Sequence, residues 1–233
     1  MIESVNNEKI KNYSKLNQKK FRDETHLFIV EGEHLVDEAK KNDLLVEVFS
    51  LDGSIGIQVS LNVMKKLSSL ANVPNVIGIA KMKHDKKIEG NVLILDNIQD
   101  PGNLGTIIRS AVAFGIDTII ASNNTVDVYN TKVLRGSEGM FFHLNYIIDD
   151  LNNVLSNLKG YEILTTNVKN GEDIANLDIN KPYALIVGNE GAGVSQKIAS
   201  YANKTLYIPM NDVCESLNVA IATSIILYEI NKK

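Results

Sequence analysis

The chain has little of what disulfide-rich, metal-binding or membrane-spanning proteins require. Its single cysteine, Cys214, excludes an intrachain disulfide and a zinc site built from several cysteines. No apolar run approaches the ~20 residues that a membrane helix needs. The polar start MIESVNNEK lacks the apolar segment of a signal peptide. We therefore expect a cytoplasmic protein, and no residue pattern suggests a bound metal.

The composition is that of an ordinary globular protein. Hydrophobic residues make up 44% of the 233 residues and charged residues 22%, which excludes a disordered chain. A chain of this length can bury most of its apolar surface without disulfides, as one large domain or two small ones.

Positive charge is concentrated locally although the net charge is −4. The segment 9–22 contains six basic residues and no acidic residue. These residues are Lys9, Lys11, Lys15, Lys19, Lys20 and Arg22. A second cluster consists of Lys81, Lys83, Lys86 and Lys87. Two interpretations stay open, a solvated helix face and a surface that contacts the phosphates of a nucleic acid.

The first 85 residues are predicted to form a small α/β domain. Helices are expected over residues 5–22, 33–41 and 61–70, and strands over residues 27–30, 45–51 and 76–80. The charged segment 81–91 has no periodicity and ends in Gly-Asn, which is typical of a linker. The pattern divides the chain into domains 1–85 and 90–233.

From residue 92 onward, short apolar runs alternate with helical patterns. The expected strands are 92–95, 118–121, 163–165, 184–187 and 206–208, and the expected helices are 106–114, 130–136, 151–158, 196–202 and 216–231. Continuously apolar strands are typical of parallel sheets covered on both faces, so the second domain is predicted to be α/β with a parallel sheet. Apolar residues such as Ile221, Ile225 and Leu227 surround most of the last helix, which predicts burial or an interface.

Polar residues and glycines follow three of these strands directly, in segments 96–105, 188–193 and 208–219. In open α/β sheets, ligands bind beyond the carboxyl ends of the strands. The three segments are therefore the candidate site.

In the first segment, Asn103 lies near a helix start and either caps the helix or contacts a ligand. Arg109 follows in the same helix. A cation near a helix N-terminus gains nothing from the helix dipole. We therefore favour an anion- or oxygen-binding role for Arg109 over a solvated charge.

In the second segment, Gly188, Gly191 and Gly193 allow the backbone to approach a ligand closely. Their spacing, G-x-x-G-x-G, reverses the dinucleotide fingerprint G-x-G-x-x-G. A buried Glu190 would need a partner, and a backbone amide, a second subunit and a catalytic role are all open.

In the third segment, Ser216 fits a helix cap whose hydroxyl would accept from the amide of Val219. Asn218 is a polar amide in the first turn of an apolar helix, so it needs a specific partner. Cys214 has no histidine near it in sequence and is a poor nucleophile candidate.

Taken together, the three segments resemble the motifs of SpoU-type (TrmH-like) RNA methyltransferases of the SPOUT superfamily. The first motif, N-x-x-D-P-x-N-x-G-x-x-x-R, is represented by Asn97, Asp100, Pro101, Asn103, Gly105 and Arg109. The second is represented by Gly188, Glu190 and Gly191, and the third by Ile208, Pro209, Met210, Ser216, Leu217, Asn218 and Val219. Two positions depart from the family pattern, Asp212 and Ala220. The amino-terminal segment around FIVEGEHLV is similar to an L30e-like substrate-binding domain.

The resemblance implies transfer of a methyl group from S-adenosylmethionine to the 2′-hydroxyl of a ribose in structured RNA, with ribosomal RNA favoured over transfer RNA. It also implies a carboxyl-terminal trefoil knot and a homodimer. The residues implied in donor binding are Thr166, Asn167, Gly188, Glu190, Gly191, Ile208, Met210 and Leu217. Those implied in catalysis are Arg109, Asn103, Ser216 and Asn218.

Two other function classes fit the sequence less well. A non-catalytic RNA-binding protein with a degenerate enzyme domain is disfavoured because Arg109, Asn103 and Asn218 are all present. A nucleotide-dependent enzyme such as a dehydrogenase is disfavoured by the glycine spacing and by the lack of a ribose-binding acid.

Overall fold

The computed structural model describes residues 1–84, 87–179 and 181–232. The chain divides into two compact units, Met1–Lys83 with Asp127–Phe142, and His84–Val126 with His143–Lys233. The boundary near residue 83 lies close to the predicted linker. Lys86 of the second basic cluster, and position 85 at the end of the first predicted domain, lie outside the described residues. Residues 127–142 belong to the first unit, although the sequence analysis assigned them to the second domain.

Helices and strands alternate along most of the described residues. The helices are α1 (Glu8–Ser14), α2 (Lys19–Thr25), α3 (Glu33–Lys41), α4 (Leu61–Leu67), α5 (Pro101–Ala113), α6 (Thr131–Gly136), α7 (Leu151–Asn157), α8 (Gln196–Ala199) and α9 (Val219–Asn231). The strands are β1 (Leu27–Glu31), β2 (Leu45–Ser50), β3 (Ile57–Gln58), β4 (Val76–Lys81), β5 (Val92–Asp96), β6 (Thr118–Ala121), β7 (Asn145–Ile148), β8 (Glu162–Thr166), β9 (Glu172–Asp173), β10 (Tyr183–Gly188) and β11 (Lys204–Tyr207). Short 3-10 helices span Lys15–Asn17, Met140–His143 and Ile174–Asn176.

The first unit is built on a four-stranded sheet of order β1-β4-β2-β3. Strand β4 pairs antiparallel with both β1 and β2, whereas β2 and β3 are parallel. A core cluster containing the fully buried Ile10, Phe49 and Met64 joins α1 and α4 to the sheet. The prediction of a single basic helix over residues 5–22 is wrong. The extended backbone of Gln18, with φ −107° and ψ 133°, separates the 3-10 turn after α1 from α2.

Residues 127–142 are held in the first unit by charge, hydrogen bonds and aromatic packing. The guanidinium of the buried Arg22 pairs with the carboxylate of Asp127. The ring of Phe28 lies with its centroid 4.7 Å from that of Tyr129 and 6.4 Å from that of Phe142. These partners are distant in sequence, so the local sequence pattern of α6 does not reveal that this helix belongs to the first unit.

The second unit contains a seven-stranded sheet of order β7-β6-β5-β10-β8-β11-β9. Each neighbouring pair in this order is parallel. The residues of β5 and β10 are all buried, as expected for strands covered on both faces. The predicted α/β fold with a parallel sheet is confirmed. The order sets the carboxyl ends of β5, β10, β8 and β11 side by side, so the loops that follow them converge.

Helix α9 packs on α5, and the hydroxyls of Ser224 and Ser110 lie 2.7 Å apart. It begins at Val219 rather than near residue 216. Of the two alternatives for this helix, burial applies to Leu227, which lies inside the unit, whereas Ile221 and Tyr228 are each 52% exposed. Within the described residues, no helix combines the length and apolar character needed to cross a membrane.

Candidate functional site

A cavity opens at the carboxyl ends of β8, β10 and β11. Its lining includes all eight residues for which the motifs implied donor binding: Thr166, Asn167, Gly188, Glu190, Gly191, Ile208, Met210 and Leu217. Ser216 lines it as well. The other three residues implied in catalysis, Arg109, Asn103 and Asn218, are not among the described residues that form its wall. The convergence of the strand ends thus brings loop residues from separate motifs to one cavity.

The loop after β10 folds on itself through backbone and side-chain bonds. The amide of Asn189 donates to the Gly193 carbonyl at 3.0 Å, and the Gly193 amide donates back at 2.9 Å. The Asn189 Oδ1 atom accepts from the amides of Gly191 at 2.9 Å and Ala192 at 3.0 Å. Asn189 is not among the residues that the sequence motifs single out. An asparagine two residues before a glycine in a turn is the signal that could have revealed it, because its side chain bonds to amides two residues on.

Glycine is required at position 188 because the backbone of the same loop comes too close for a side chain. A β-carbon at this position would lie 2.2 Å from the carbonyl carbon of Gly193 and 2.2 Å from the amide nitrogen of Val194. At Gly191, by contrast, a β-carbon would meet nothing closer than the Asn189 Oδ1 atom at 3.6 Å. The two glycines therefore differ in function: the first closes the loop, and the second leaves room at the cavity wall.

Glu190 joins the loop after β10 to the loop after β5. Its carboxylate accepts from the amides of Gln99 at 3.2 Å and Asp100 at 3.0 Å, and from Nδ2 of Asn103 at 3.1 Å. Desolvation raises the pKa of Glu190, but the bonds from Asn103, Asp100 and Gln99 outweigh it and hold that pKa below its ordinary value. The sequence left three possibilities open for Glu190, and the structure shows the first of them, bonds from backbone amides.

Asn218 joins the loop after β11 to Asn103, at the start of α5. Its Nδ2 atom donates to Oδ1 of Asn103 at 2.9 Å, which provides the specific partner expected for this amide. Its Oδ1 atom accepts from the amides of Ala220 at 2.9 Å and Ile221 at 3.3 Å, so Asn218 caps α9.

The structure excludes the capping alternative for Asn103 and the cap predicted at Ser216. Asp100, not Asn103, caps α5 by accepting from the Asn103 amide at 2.9 Å. Asn218, not Ser216, caps α9, because the helix begins later than expected. The Ser216 carbonyl instead accepts from the thiol of the exposed Cys214 at 3.3 Å.

Glu190, Asn103 and Asn218 together form a continuous chain of hydrogen bonds, which we call the amide relay. Each residue comes from a different motif, and each bond crosses from one loop to another. The relay fixes the relative positions of the three loops without using a second charge. Its members are positioned to hold the site in shape.

Arg109 is different from the relay residues, because it is an exposed cation of α5. Its side chain makes no hydrogen bond or ion pair with any residue that the structure describes. A guanidinium without a partner in the folded chain has its five donors available for a ligand. Arg109 is therefore the residue of the three motifs best suited to contact an oxygen-rich substrate.

Comparison with protein families identifies both parts of the chain. Residues 90–228 match the model of the SpoU rRNA methylase family. Residues 7–78 match the MRM3-like substrate binding domain.

Individual relatives cover nearly the whole chain. The 23S rRNA (guanosine(2553)-2′-O)-methyltransferase RlmP of Bacillus subtilis (strain 168) is 35% identical over 243 residues, which span 98% of each chain. The crystal structure of an rRNA methyltransferase from Sinorhizobium meliloti is similar with a TM-score of 0.90 and 28% identity, covering 99% of this chain and 96% of that one. Its AdoMet-bound form is similar with a TM-score of 0.89 and 28% identity, covering 99% and 97%.

The family match covers the parallel-sheet unit and all three motifs, and the resemblance identified from those motifs is confirmed. The chain belongs to the SpoU rRNA methylase family.

Proposed function

We propose that the protein transfers a methyl group from S-adenosylmethionine to the 2′-hydroxyl of a ribose in ribosomal RNA. The observation that carries this proposal is the cavity at the strand ends, with the amide relay connecting the three motif loops around it. The name of the Bacillus subtilis relative makes a guanosine of 23S rRNA the first substrate to test. Transfer RNA is the second candidate.

The cavity has the chemistry that the donor requires. Apolar side chains such as Leu217 and Ile226 offer a surface for an adenine ring, and Asn167 and the backbone at Gly188 offer hydrogen-bonding groups. S-adenosylmethionine supplies an activated sulfonium methyl group when it is bound. Glu190 contributes to the wall, but its carboxylate is engaged by the loop after β5, so we assign it to loop positioning.

Arg109 is proposed as the catalytic residue. A guanidinium stays protonated in proteins, so Arg109 cannot take the proton of the acceptor hydroxyl. Its planar donors can instead hold the hydroxyl and the neighbouring phosphate, while a phosphate oxygen or a water accepts the proton. The new O–CH₃ bond would form as the S–CH₃ bond of the donor breaks, which would leave the donor as a neutral thioether. Asn103 and Asn218 position the loop from which α5 starts, and Ser216 shapes the cavity wall.

The test combines a methyl-transfer assay in vitro with a map of 2′-O-methylated positions in cellular RNA. Purified protein is incubated with labelled S-adenosylmethionine and an unmodified 23S rRNA transcript, and 2′-O-methylated positions are mapped in total RNA with and without the gene. We expect one ribose position to lose its methyl group when the gene is deleted. Identical maps together with no transfer to either 23S rRNA or transfer RNA would refute the proposal.

We also propose that the two predicted domains divide the work in the cytoplasm, with residues 1–85 contacting RNA as an L30e-like domain and residues 90–233 carrying the methyl transfer. The match of residues 7–78 to a substrate binding domain supports the first assignment. The position of the motif loops in the second unit supports the second assignment.

A trefoil knot at the carboxyl end is a further part of the proposal. It is supported by the family membership and by the packing of α9 on α5, which brings the end of the chain beside a much earlier helix. Pulling both ends in a single-molecule experiment should give an unfolded chain shorter than its full contour length. A fully extended chain would contradict the knot.

Finally, we propose a homodimer that uses the exposed side of α9. Ile221, Ile225 and Tyr228 follow one another at helical spacing, and two of them are half exposed. Light scattering at micromolar concentration should report a dimer, and Ile221→Asp should give a monomer. A monomeric wild-type protein would remove this claim.

A further inference from the structure

Several lysines that the sequence singled out in the first unit are neutralised by carboxylates. The exposed lysines of α2 pair with acids one helical turn later, and a lysine of α1 pairs with a residue of β2. The pairs are Lys19–Asp23 at 2.7 Å, Lys20–Glu24 at 3.9 Å and Lys9–Glu47 at 2.7 Å. Lys15 donates to Asn12 and lies 5.6 Å from the centroid of the Phe21 ring. The basic segment therefore presents less free positive charge than its composition indicates.

A different set of lysines in the same unit is left uncompensated. Lys11 on α1, with Lys65 and Lys66 on α4, lines a groove whose wall also includes Asn6 and Asn62. No carboxylate is among the described residues that line this groove. None of the three lysines forms an ion pair with any residue in the described ranges. The groove thus combines three free ammonium groups with two side-chain amides.

The helices that carry these lysines are packed into the core. Ile10 next to Lys11 and Met64 next to Lys65 are fully buried in one core cluster, which also contains Val63. Because adjacent helical residues are anchored, the backbone positions of the lysines are fixed relative to one another. The ammonium groups remain mobile at the ends of exposed side chains, which suits contact with a flexible chain of phosphates.

We propose that the groove of Lys11, Lys65 and Lys66 binds the phosphate backbone of the RNA substrate; this rests on the proposed function. Lysines contact phosphate as point charges, and amide groups such as those of Asn6 and Asn62 bond to phosphate and sugar oxygens. Such contacts give affinity and orientation without selecting a nucleotide. The groove therefore supplies binding strength, while the choice of the methylated ribose belongs to the second unit.

The test compares two triple variants that remove the same charge. Lys11→Gln/Lys65→Gln/Lys66→Gln empties the groove of charge, and Lys15→Gln/Lys19→Gln/Lys20→Gln is the matched control on the α2 side. Binding of the full-length protein to an unmodified 23S rRNA transcript is measured between about 50 and 200 mM salt. Each lost phosphate contact should make the slope of log K against log salt less steep by about 0.7 to 0.9. Loss of three contacts in the groove variant should therefore make it less steep by about 2 to 3.

At the low-salt end the groove variant should bind at least about tenfold more weakly than the wild type, and the control variant should stay within about threefold. A third variant, Lys11→Arg/Lys65→Arg/Lys66→Arg, keeps the charge and should bind like the wild type. Equal losses in the groove and control variants, or a groove variant with the wild-type slope, would overturn the proposal.

The readouts separate this proposal from the proposed function. Wild-type protein that binds the transcript but transfers no methyl group refutes the methyltransferase assignment and leaves the groove to be judged by the slopes alone. Wild-type protein that methylates the transcript, with a groove variant of unchanged slope, refutes only the groove. Thermal unfolding of each variant, expected within a few degrees of the wild type, shows that the exposed substitutions leave the fold intact.

Discussion

Helix α2 of the first unit and the motif loops of the second unit use polar side chains for different purposes. In the first unit, charged residues of opposite sign pair at the surface, as Lys19 does with Asp23. In the second unit, Asn103, Asn218 and one carboxylate form hydrogen bonds that tie loops of separate motifs together. Exposed ion pairs contribute about 0–1 kcal/mol each, so they can be lost one at a time. Bonds that position three loops at once cannot be replaced by a neighbour, and single changes there should have larger effects.

The largest expected effect concerns Arg109. Arg109→Ala should lower single-turnover methyl transfer by about 10²-fold or more while donor affinity holds, because we propose that the guanidinium acts on the acceptor. Arg109→Lys should restore little, since an ammonium group cannot reproduce a planar, two-pronged contact. The measurement is made at saturating RNA and donor. Near-normal turnover of the alanine variant would make Arg109 an ordinary surface charge.

The next effect compares two glycines of one loop. Gly188→Ala places a β-carbon 2.2 Å from the backbone of Gly193 and should lower stability by about 1–3 kcal/mol. It should also weaken donor binding, because the loop that lines the cavity must shift. Gly191→Ala meets only an ordinary contact and should keep the wild-type unfolding temperature. Calorimetry measures both quantities, and equal stability of the two variants would contradict the close approach.

Two substitutions at Asn218 distinguish its role as the cap of α9 from its role in the amide relay. Asn218→Ala loses both functions and should cost about 1 kcal/mol of stability as well as activity. Asn218→Asp keeps acceptors for the amides of Ala220 and Ile221 but loses the donor to Asn103. The aspartate variant should therefore unfold near the wild-type midpoint in urea while its turnover falls. If its turnover stays normal, the bond to Asn103 has no positioning role.

Glu190 gives the second unit a pH-dependent contribution to stability. The pKa of its carboxylate is lowered in the folded protein by the bonds from Asn103, Asp100 and Gln99, although desolvation opposes them. The contribution is therefore present above the ordinary value of about 4.3 and is lost as the pH falls through the lowered one. The difference in unfolding temperature between wild type and Glu190→Gln should be largest at neutral pH and should disappear under acid conditions. A constant difference would show that the charge of Glu190 is not involved.

The smallest effect is expected in the first unit. Lys19→Gln removes an exposed pair between side chains that are 62% and 50% exposed, and it should change stability by less than about 0.5 kcal/mol. High salt should erase the difference, because exposed charges are screened. A larger change in a urea titration would mean that this surface pair has a structural role.

Features that depend on local periodicity could be predicted from the sequence. Helix α3 has the predicted bounds because its apolar residues repeat on one face. Strand β6 has them because all four of its residues are buried and three of them in succession are apolar. The edge strands β3, β7 and β9 were missed, because two are only two residues long and β7 is half exposed. Short edge strands carry too few residues for a pattern to emerge.

Features that depend on distant partners could not be predicted in the same way. The motif loops were located correctly, because polar residues interrupt apolar strands at known places. The cap of α9 was misplaced, because several residues before an apolar helix are suitable caps and only the path of the loop decides among them. The bond between Asn218 and Asn103 spans 115 residues and follows from the sheet order, which no local pattern specifies.

The path of residues 127–142 limits how freely the two units can be exchanged in evolution or in the laboratory. The chain passes between the units after residues 83, 126 and 142. After one protease cut near residue 90, residues 127–142 remain covalently joined to the second unit, and Met1–Lys83 is held to them by non-covalent contacts alone. A fragment ending at Lys83 would lack Asp127 and leave the buried cation of Arg22 without its counter-charge. A first unit grafted from a relative must therefore bring both of its segments. The second segment lies inside residues 90–228, which match the SpoU rRNA methylase family, so a graft of the amino-terminal residues alone would leave it behind.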